Sequence, residues 1–330
     1  MATIKEVARH AHVSVATVSR AINGNGYVKQ ETRDKIDAAI QALNYQPNEV
    51  ARSLNMKKSK LIGLLLPDMS NPFFTIVARG VEDRAMARGY HIMIGNGAMD
   101  ETKELNYLSM FKVNQCSGII ASQLSTPHAF QQLHALESPC VLIDRAAQGD
   151  TCIEADHVRG GTLQAETILQ GTATSVLLLY QNLNYTSFRA RFDAAKQVLE
   201  ASDVTVVVQL EDTLTQPLLQ HYIETYAIDS IICSNDVMAF KVMQWLHTVN
   251  IKVPDEVQVV GYDDIPFASM FIPSLTTVRQ PAYELGQQAA QQLIDELEGD
   301  RAKTSTILQV EMVHRASTRR TNNEKNICYR

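Results

Sequence analysis

Residues 4–23 read IKEVARHAHVSVATVSRAIN, and this stretch decides the fold at the start of the chain. Its first apolar residues recur at the spacing of an α-helix: Ile4, Val7, Ala8 and Ala11. A tight turn follows at His12, and Ser14 is a good N-cap for a second helix, whose inward face carries Val18 and Ile22. The pattern predicts two short helices that cross closely at a turn, which is the arrangement of a helix-turn-helix.

The second helix carries small, polar and basic side chains on the face away from its core. The residues of this face are Val15, Ala16, Ser19, Arg20 and Asn23. They fit the major groove of DNA, where small apolar side chains touch thymine methyl groups and Arg20 donates two hydrogen bonds to guanine. Ser14, Thr17 and Ser19 suit phosphate contacts at the helix N-terminus. The alternative is a small helical bundle with a solvated face.

The distribution of charge favours DNA binding. Residues 1–60 contain ten Lys and Arg against five Asp and Glu, a balance of +5, whereas the rest of the chain has a balance of −11. A third helix is predicted from Thr32 to Leu43, and a basic linker follows at 57–60. A basic, all-helical head followed by an acidic remainder of the chain indicates that only the head binds a polyanion.

From Leu61 onward the pattern changes to short apolar strands that alternate with helices. The predicted strands lie near 61–67, 91–96, 118–122, 140–144, 175–180, 204–210, 230–234 and 257–262. The predicted helices lie near 73–89, 101–115, 127–137, 159–170, 191–201, 217–227 and 236–249. Alternation of this kind is typical of parallel sheets covered by helices on both faces. Two such series predict two doubly wound subdomains, with a ligand in the cleft between them.

Other features argue against several classes of protein. The five cysteines are scattered, without Cys-x-x-Cys spacing, and are expected to be free thiols. No apolar run approaches the ~20 residues of a membrane span and the first residues lack a signal-peptide core, so we expect a cytoplasmic protein. A phosphate-loop motif, Gly-x-Ser-x-Gly and His-x-x-x-His are missing, which argues against an enzyme, a metal or a cofactor. A transporter's solute-binding protein would share the core fold but would need a signal peptide and no DNA-binding head.

The head and the segment after it resemble the lactose/galactose repressor family of transcription regulators. The matching stretches are 2–8 (ATIKEVA), 13–20 (VSVATVSR) and 47–54 (PNEVARSL). Further matches in the body are 71–74 (NPFF), 144–145 (DR), 234–239 (SNDVMA), 261–264 (GYDD) and 275–281 (LTTVRQP). The combination makes the chain similar to this family over nearly its whole length.

The resemblance implies an N-terminal all-α helix-turn-helix head and an α/β core like that of periplasmic binding proteins. This core consists of two doubly wound parallel-sheet subdomains, and it binds the effector and forms the dimer. The expected boundaries are 1–46 for the head, 47–60 for a hinge helix and linker, 61–320 for the core and 321–330 for a polar tail. Within the core, the two subdomains are expected near 61–157 and 158–280, and the C-terminal part crosses between them.

In this family the hinge helices of two subunits pair and enter the minor groove, where an apolar residue wedges between base pairs and kinks the DNA. The matching residue is Leu54, and small Ala51 permits the close approach of the two helices; ordinary linker packing is the alternative for Leu54. The resemblance implies further DNA contacts from Thr3, Tyr45 and Asn48. His12 stands where many relatives have Gly, and His tolerates the positive φ of such a turn.

The resemblance also places a small-molecule effector, a sugar or sugar phosphate, between the two subdomains. The matching residues are Phe73, Phe74, Asp144, Asn235 and Asp263. Carboxylates and amides exchange hydrogen bonds with vicinal hydroxyls, and aromatic rings stack on the C–H faces of a sugar. Each residue has a local alternative: turn capping for Asn235 and Asp263, pairing with Arg145 or a helix end for Asp144, and core packing for the two phenylalanines.

One departure concerns the arginine that clamps the effector in relatives. They usually show Arg-x-x-Gly-aromatic, and aligning Phe192 with the aromatic residue puts Phe188 at the arginine position and Arg191 at the glycine. Arg189, one residue later, is expected to take over the clamp. The alternative is an effector that lacks the group which this arginine holds.

These observations together predict a homodimeric repressor of a carbohydrate-utilisation operon, which binds a pseudo-palindromic operator and is released by its effector. No leucine-zipper tail of the kind that forms tetramers follows residue 318, which favours the dimer. A global regulator that uses a phosphorylated partner protein as corepressor is the alternative within the family. The motif at 71–74 favours the sugar-released type.

Overall fold

The computed structural model describes residues 2–23, 26–45, 59–122, 124–144, 151–300 and 304–319. The chain forms two compact units, residues 1–59 and 60–330. The predicted Leu54 wedge, Ala51 and Asn48 lie outside the described residues, as do Arg145 and the 321–330 tail.

The described residues of the first unit form three helices: α1 (Ile4–His10), α2 (Val15–Asn23) and α3 (Gln30–Ala42). Their facing side chains form one small core of Val7, Ala8, Ala11, Val18, Ala21, Ile36 and Ala39. The hydroxyl of Ser14 accepts a hydrogen bond from the Thr17 N–H at 3.1 Å, so the predicted start of the second helix is confirmed. His12 adopts φ 54° at the turn, which confirms that histidine serves there in place of glycine.

The second unit alternates strands and helices throughout. In chain order these are β1 (Leu61–Leu66), α4 (Pro72–Ala87), β2 (His91–Asn96), α5 (Glu101–Val113), β3 (Gly118–Ser122), α6 (Pro127–His134), β4 (Cys140–Ile143), β5 (Thr151–Ala155), α7 (His157–Gln170), β6 (Ser175–Tyr180), α8 (Thr186–Glu200), β7 (Thr205–Leu210), α9 (Gln216–Tyr226), β8 (Ser230–Ile232), α10 (Asp236–Thr248), β9 (Gln258–Asp263), β10 (Thr276–Arg279), α11 (Ala282–Glu298), β11 (Thr306–Leu308) and β12 (Glu311–Val313). Helices cover both faces of the sheets, which is why a strand such as 61–66 is apolar at almost every position.

Two six-stranded sheets organise this unit into two subdomains. The first has the order β11-β5-β4-β3-β1-β2 and is parallel throughout. The second has the order β12-β10-β9-β8-β6-β7, in which only the β10–β12 pair is antiparallel. The chain crosses between the sheets three times: between β5 and α7, between β10 and α11, and between β11 and β12.

The predicted fold class is therefore confirmed, with differences in detail. The sequence patterns did not single out β5, β10, β11, β12 or α11; the strands among them have only three to five residues, too few for a clear alternation. Helix α8 begins at Thr186 rather than near residue 191. This earlier start moves residues 186–190 from a loop onto a helix, which changes the interpretation of the arginines there.

Candidate effector cleft and DNA-reading surface

A cleft of about 410 Å³ opens between the two sheets, at the carboxyl ends of their strands. Its volume is in the range of small-molecule sites, and its position is the one where α/β folds bind ligands. The first subdomain contributes Asp68, Ser70, Asn71, Phe73, Phe74, Met99, Ser122 and Asp144 to the lining. The second contributes Gln181, Ser187, Phe188, Arg191, Glu211, Asp212, Asn235, Val237, Met238, Lys241, Asp263 and Gln280.

Asp263 is buried at the end of β9, where the backbone has φ 119°. Its Oδ1 accepts a hydrogen bond from Nε2 of Gln280 at 2.6 Å, and its Oδ2 accepts one from Nδ2 of Asn71 at 3.3 Å. Burial raises the pKa of Asp263 to about 6, although Arg191 and the two amides act in the opposite direction. Because Asn71 belongs to the first subdomain, its hydrogen bond to Asp263 crosses the cleft.

Asp144 is buried at the end of β4, on the opposite wall. Its Oδ1 accepts a hydrogen bond from the Ala155 N–H at 3.1 Å and lies 3.0 Å from Nε2 of His157. Burial acts to raise the pKa of this carboxyl, but His157 and Arg191 outweigh it and hold the pKa below its ordinary value. Burial lowers the pKa of His157, so this imidazole is neutral. Asp144 is thus ionised at neutral pH.

Arg191, and not Arg189, supplies the guanidinium of the cleft. Nε of Arg191 donates to Nδ1 of His157 at 3.1 Å, and Nη1 donates to the Ser234 carbonyl at 3.3 Å. Its guanidinium carbon lies 3.9 Å from the centre of the Tyr262 ring, so the group stacks on that ring. The side chain is buried, and it lines the cleft beside Phe188.

The expectation that Arg189 clamps the effector is wrong. Nε of Arg189 donates to the Leu183 carbonyl at 2.9 Å, and the residue is exposed away from the cleft lining. The reason is helical geometry: residues 188 and 191 are three apart on α8 and share one face, whereas residue 189 is turned by roughly 100°. The guanidinium therefore enters the cleft from one helical turn beyond the position usual in the family.

Asn235 caps a helix and also lies in the wall of the cleft. Its Oδ1 accepts from the Met238 N–H at 2.8 Å and caps α10, while the residue also lines the cleft. Phe73 and Phe74 form an edge-to-face pair with ring centres 5.1 Å apart. Phe73 is buried in the core and Phe74 is half-buried, and both reach the cleft. Five of the six predicted effector residues thus line one cleft.

Sequence reasoning missed several polar residues of the cleft. Gln181 directly follows β6, Glu211 follows β7 and Gln280 follows β10. The rule that ligands bind at the carboxyl ends of parallel strands was sufficient to flag all three. Arg191 was missed for another reason, since its position matches a glycine in relatives.

In the head, α2 exposes the side predicted to read DNA. Val15, Ala16 and Arg20 are exposed, Thr17 and Ser19 are half-buried, and the Ser14 hydroxyl lies 2.8 Å from that of Thr17. Thr3 caps α1 in a reciprocal capping box with Glu6, and Tyr45 packs against the core of the head. Asn23 is the last residue of α2. The small apolar and basic side chains needed in a major groove therefore lie together on one exposed helix face.

Neither a metal centre nor a membrane-spanning helix occurs in the described part of the chain. No group of three or more His, Cys, Asp and Glu side chains there is arranged to hold a metal ion. No helix within the same residues is both long and apolar enough to cross a bilayer.

Comparison with known proteins agrees with this architecture. Residues 3–48 match the sequence model of the lacI family of bacterial regulatory proteins, and residues 168–318 match that of a periplasmic binding protein-like domain. The ribose operon repressor of Bacillus subtilis (strain 168) is 39% identical over 328 residues, which cover 97% of this chain and 99% of that protein. The chain belongs to the LacI family. It is a DNA-binding transcriptional repressor and not an enzyme, as predicted.

Solved structures extend the likeness to the fold of this LacI-family chain. A crystal structure of the lac repressor dimer bound to operator and an anti-inducer matches with a TM-score of 0.85 and 26% identity, covering 96% of this chain and 99% of that one. A LacI-family regulator from Enterococcus faecium with bound ribose matches with a TM-score of 0.71 and 25% identity, covering 79% of this chain and 99% of that one.

Proposed function

We propose that this protein is a homodimeric repressor of a ribose operon, released from its operator when ribose binds in the cleft between the two subdomains. The observation that carries the proposal is the cleft itself, whose lining combines Arg191 with two buried carboxylates, Asp144 and Asp263, on which its charge acts. This set of charged donors and acceptors matches the vicinal hydroxyls of a small sugar. The 39% identity to a ribose operon repressor supports ribose as that sugar.

On the DNA side, the exposed face of α2 enters the major groove of each operator half-site. Arg20 donates to guanine, Val15 and Ala16 contact thymine methyl groups, and Ser14 with the helix N-terminus holds a phosphate. The hinge residue Leu54 intercalates in the minor groove between the half-sites. Both heads act in the bacterial cytoplasm, where the operator lies.

The homodimer is supported by an exposed apolar loop after β9. Ile272 is 95% exposed and Met270 is 70% exposed, next to Phe267 and Phe271. A patch of this kind on a globular core marks an interaction surface, and the lac repressor matched above is a dimer. Sedimentation should show a dimer for the wild type and for Met270→Leu, and dissociation toward monomer for Met270→Asp.

The function is tested with the full-length protein and an operator selected from random DNA. Fluorescence anisotropy should show tight operator binding that weakens when ribose is added, with no such effect from sucrose. Tighter operator binding in the presence of ribose would reverse the sign and make ribose a corepressor. An operator affinity that no sugar changes would contradict the proposal.

A further inference from the structure

Glu211 is a buried carboxylate in the wall of the cleft that has no role in the site described so far. It directly follows β7 and begins a short 3-10 turn, residues 211–213. Its side chain is buried, yet it lines the cleft from the second subdomain. It lies outside the stretches of sequence that carry the resemblance to the family.

The partners of Glu211 are uncharged. Its Oε1 accepts a hydrogen bond from the Ser234 N–H at 3.0 Å, and the side chain of Gln181 also hydrogen-bonds to it. Within the described part of the chain, no lysine or arginine lies within ion-pair distance of this carboxylate. The difference from Asp144 and Asp263 is electrostatic: the positive charge of Arg191 acts to lower the pKa of both of those carboxyls, whereas no lysine or arginine is among the main causes that set the pKa of Glu211.

An ionised group buried without a cation is unfavourable, and burial accordingly raises the pKa of Glu211. Such a group persists at ligand sites because the ligand supplies the missing hydrogen-bond donors. For Glu211 the donor has to come from the cleft, since its protein-side partners are already in place. A sugar hydroxyl fits this requirement, because it donates a hydrogen bond and carries no charge.

The other charged residues of the cleft also disfavour an anionic ligand. Five carboxylates belong to the described lining: Asp68, Asp144, Glu211, Asp212 and Asp263. Two cations accompany them, Arg191 and Lys241, and Arg191 is already shared between two carboxylates. The ammonium of Lys241 lies 4.8 Å from the centre of the Trp245 ring, one turn further along α10. A phosphate placed next to Glu211 would thus meet like charge rather than a free cation.

We infer that Glu211 determines effector specificity: it accepts a hydrogen bond from a sugar hydroxyl and excludes anionic groups from this end of the cleft. The effector is therefore the free sugar and not its phosphate ester. The inference rests on the proposed function, because it takes the effector to be a sugar bound in this cleft.

The test compares ribose with ribose 5-phosphate by calorimetry on the full-length protein. The wild type should bind ribose and bind ribose 5-phosphate about 100-fold more weakly, because like charges would be juxtaposed. Glu211→Gln keeps the size of the side chain but removes its charge. It should weaken ribose binding roughly tenfold and reduce the preference over the phosphate by at least about tenfold.

Asp203→Asn is the matched control. It removes the same charge from an exposed position of the second subdomain outside the cleft lining, so the preference should change by less than about threefold. Glu211→Asp keeps the charge and should still reject the phosphate while binding ribose less well. Melting temperatures of the unliganded proteins check that each variant is folded.

Two results would overturn the role of Glu211 while leaving the proposed function intact. In one, the wild type binds ribose, but Glu211→Gln keeps the same preference for ribose over ribose 5-phosphate. The other is an equal loss of preference in Asp203→Asn, which would assign the effect to the net charge of the protein rather than to Glu211. A wild type that binds neither compound would instead overturn the proposed function, and this inference with it.

Discussion

Arg191 illustrates how a single residue can be misassigned by its position in a motif. It occupies the position of a glycine in relatives, yet its side chain reaches the cleft because it lies one helical turn beyond Phe188 on α8. Three contacts fix the guanidinium: those with His157, the Ser234 carbonyl and the Tyr262 ring. A charged group held this rigidly binds a ligand with little loss of side-chain entropy.

We therefore expect Arg191→Ala to weaken ribose binding by about 100-fold, since a charge-assisted hydrogen bond is lost and Asp144 and Asp263 lose their shared cation. Arg189→Ala is the control, and it should leave the affinity unchanged. Calorimetry on both variants measures the difference. An equal loss of ribose affinity in both variants, or a loss only in Arg189→Ala, would restore Arg189 as the residue that clamps the effector.

The raised pKa of Asp263 predicts how effector binding depends on pH. In the free protein this carboxyl holds its proton below a pH of about 6. Sugar hydroxyls donate to the ionised form, so binding releases a proton below that pH and the affinity falls as the pH is lowered. The expected slope is up to about tenfold per pH unit, and the affinity levels off above about pH 7. The contribution of Asp263 should vanish in Asp263→Asn, and an identical slope in this variant would exclude Asp263 as its source.

At the scale of elements, the packing of α7 against α8 sets the position of Arg191. A Cβ added at Gly161 in α7 would lie 2.1 Å from the carbonyl oxygen of Arg191, so only glycine permits this approach. Gly161→Ala should push α8 outward, lower the free energy of unfolding by about 1–3 kcal/mol and weaken ribose binding roughly tenfold. Thermal melts and calorimetry measure the two effects.

Gly286 in α11 offers a matched control for that prediction. A Cβ added there would lie 2.1 Å from the Val77 carbonyl oxygen of α4, which is the same kind of clash in the first subdomain. Gly286→Ala should therefore destabilise the protein to a similar degree while leaving the position of Arg191 unchanged. If both variants lose affinity equally, the effect of Gly161→Ala comes from general destabilisation.

Helix α2 carries the prediction for DNA recognition. Arg20 is exposed near its end, on the same face as Val15 and Ala16. Arg20→Ala should cost about 1–3 kcal/mol at one base pair of each half-site and relax the base preference there. Lys35→Ala on α3 removes a similar charge and should weaken binding to all sequences alike. Binding measured against all four bases at each position separates the two, and an unchanged preference would remove Arg20 from direct readout.

At the scale of the whole molecule, three chain crossings join the two subdomains, and the Asn71–Asp263 hydrogen bond spans the cleft between them. An effector that contacts both walls must favour one relative arrangement of the subdomains over another. It can shift the equilibrium only by its difference in affinity for the two arrangements. This is the physical basis on which ribose would control DNA binding.

Coupling of this kind is reciprocal. We expect ribose to weaken operator binding by a coupling free energy of about 1–3 kcal/mol and the operator to weaken ribose binding by the same amount. Calorimetry of ribose binding, with and without saturating operator, measures the second effect. Asp263→Ala should bind operator normally but lose the response to ribose. A ribose affinity that operator DNA leaves unchanged would show that the cleft is not linked to DNA binding.

Much of this protein was determined by local sequence. The apolar spacing of residues 4–22 and the Ser14 cap specify the head, because short-range periodicity and capping are enough to define a helix-turn-helix. Alternation of apolar strands and helices was likewise enough for the two parallel sheets. Asp263 and Asn235 were predicted from the resemblance to the family, and their positions after strands agree with the rule that strand ends converge on one edge of a sheet.

Only the tertiary structure decided which polar side chains face the cleft and how their charges are shared. Arg189 and Arg191 are nearly equivalent in sequence, and the start of α8 with its close packing on α7 places Arg189 at the surface and Arg191 in the cleft. Glu211 acquires its role because a distant Ser234 and a buried wall surround it without a cation. Orientation, burial and charge pairing depend on residues far apart in the chain, and local sequence carries no record of those distances.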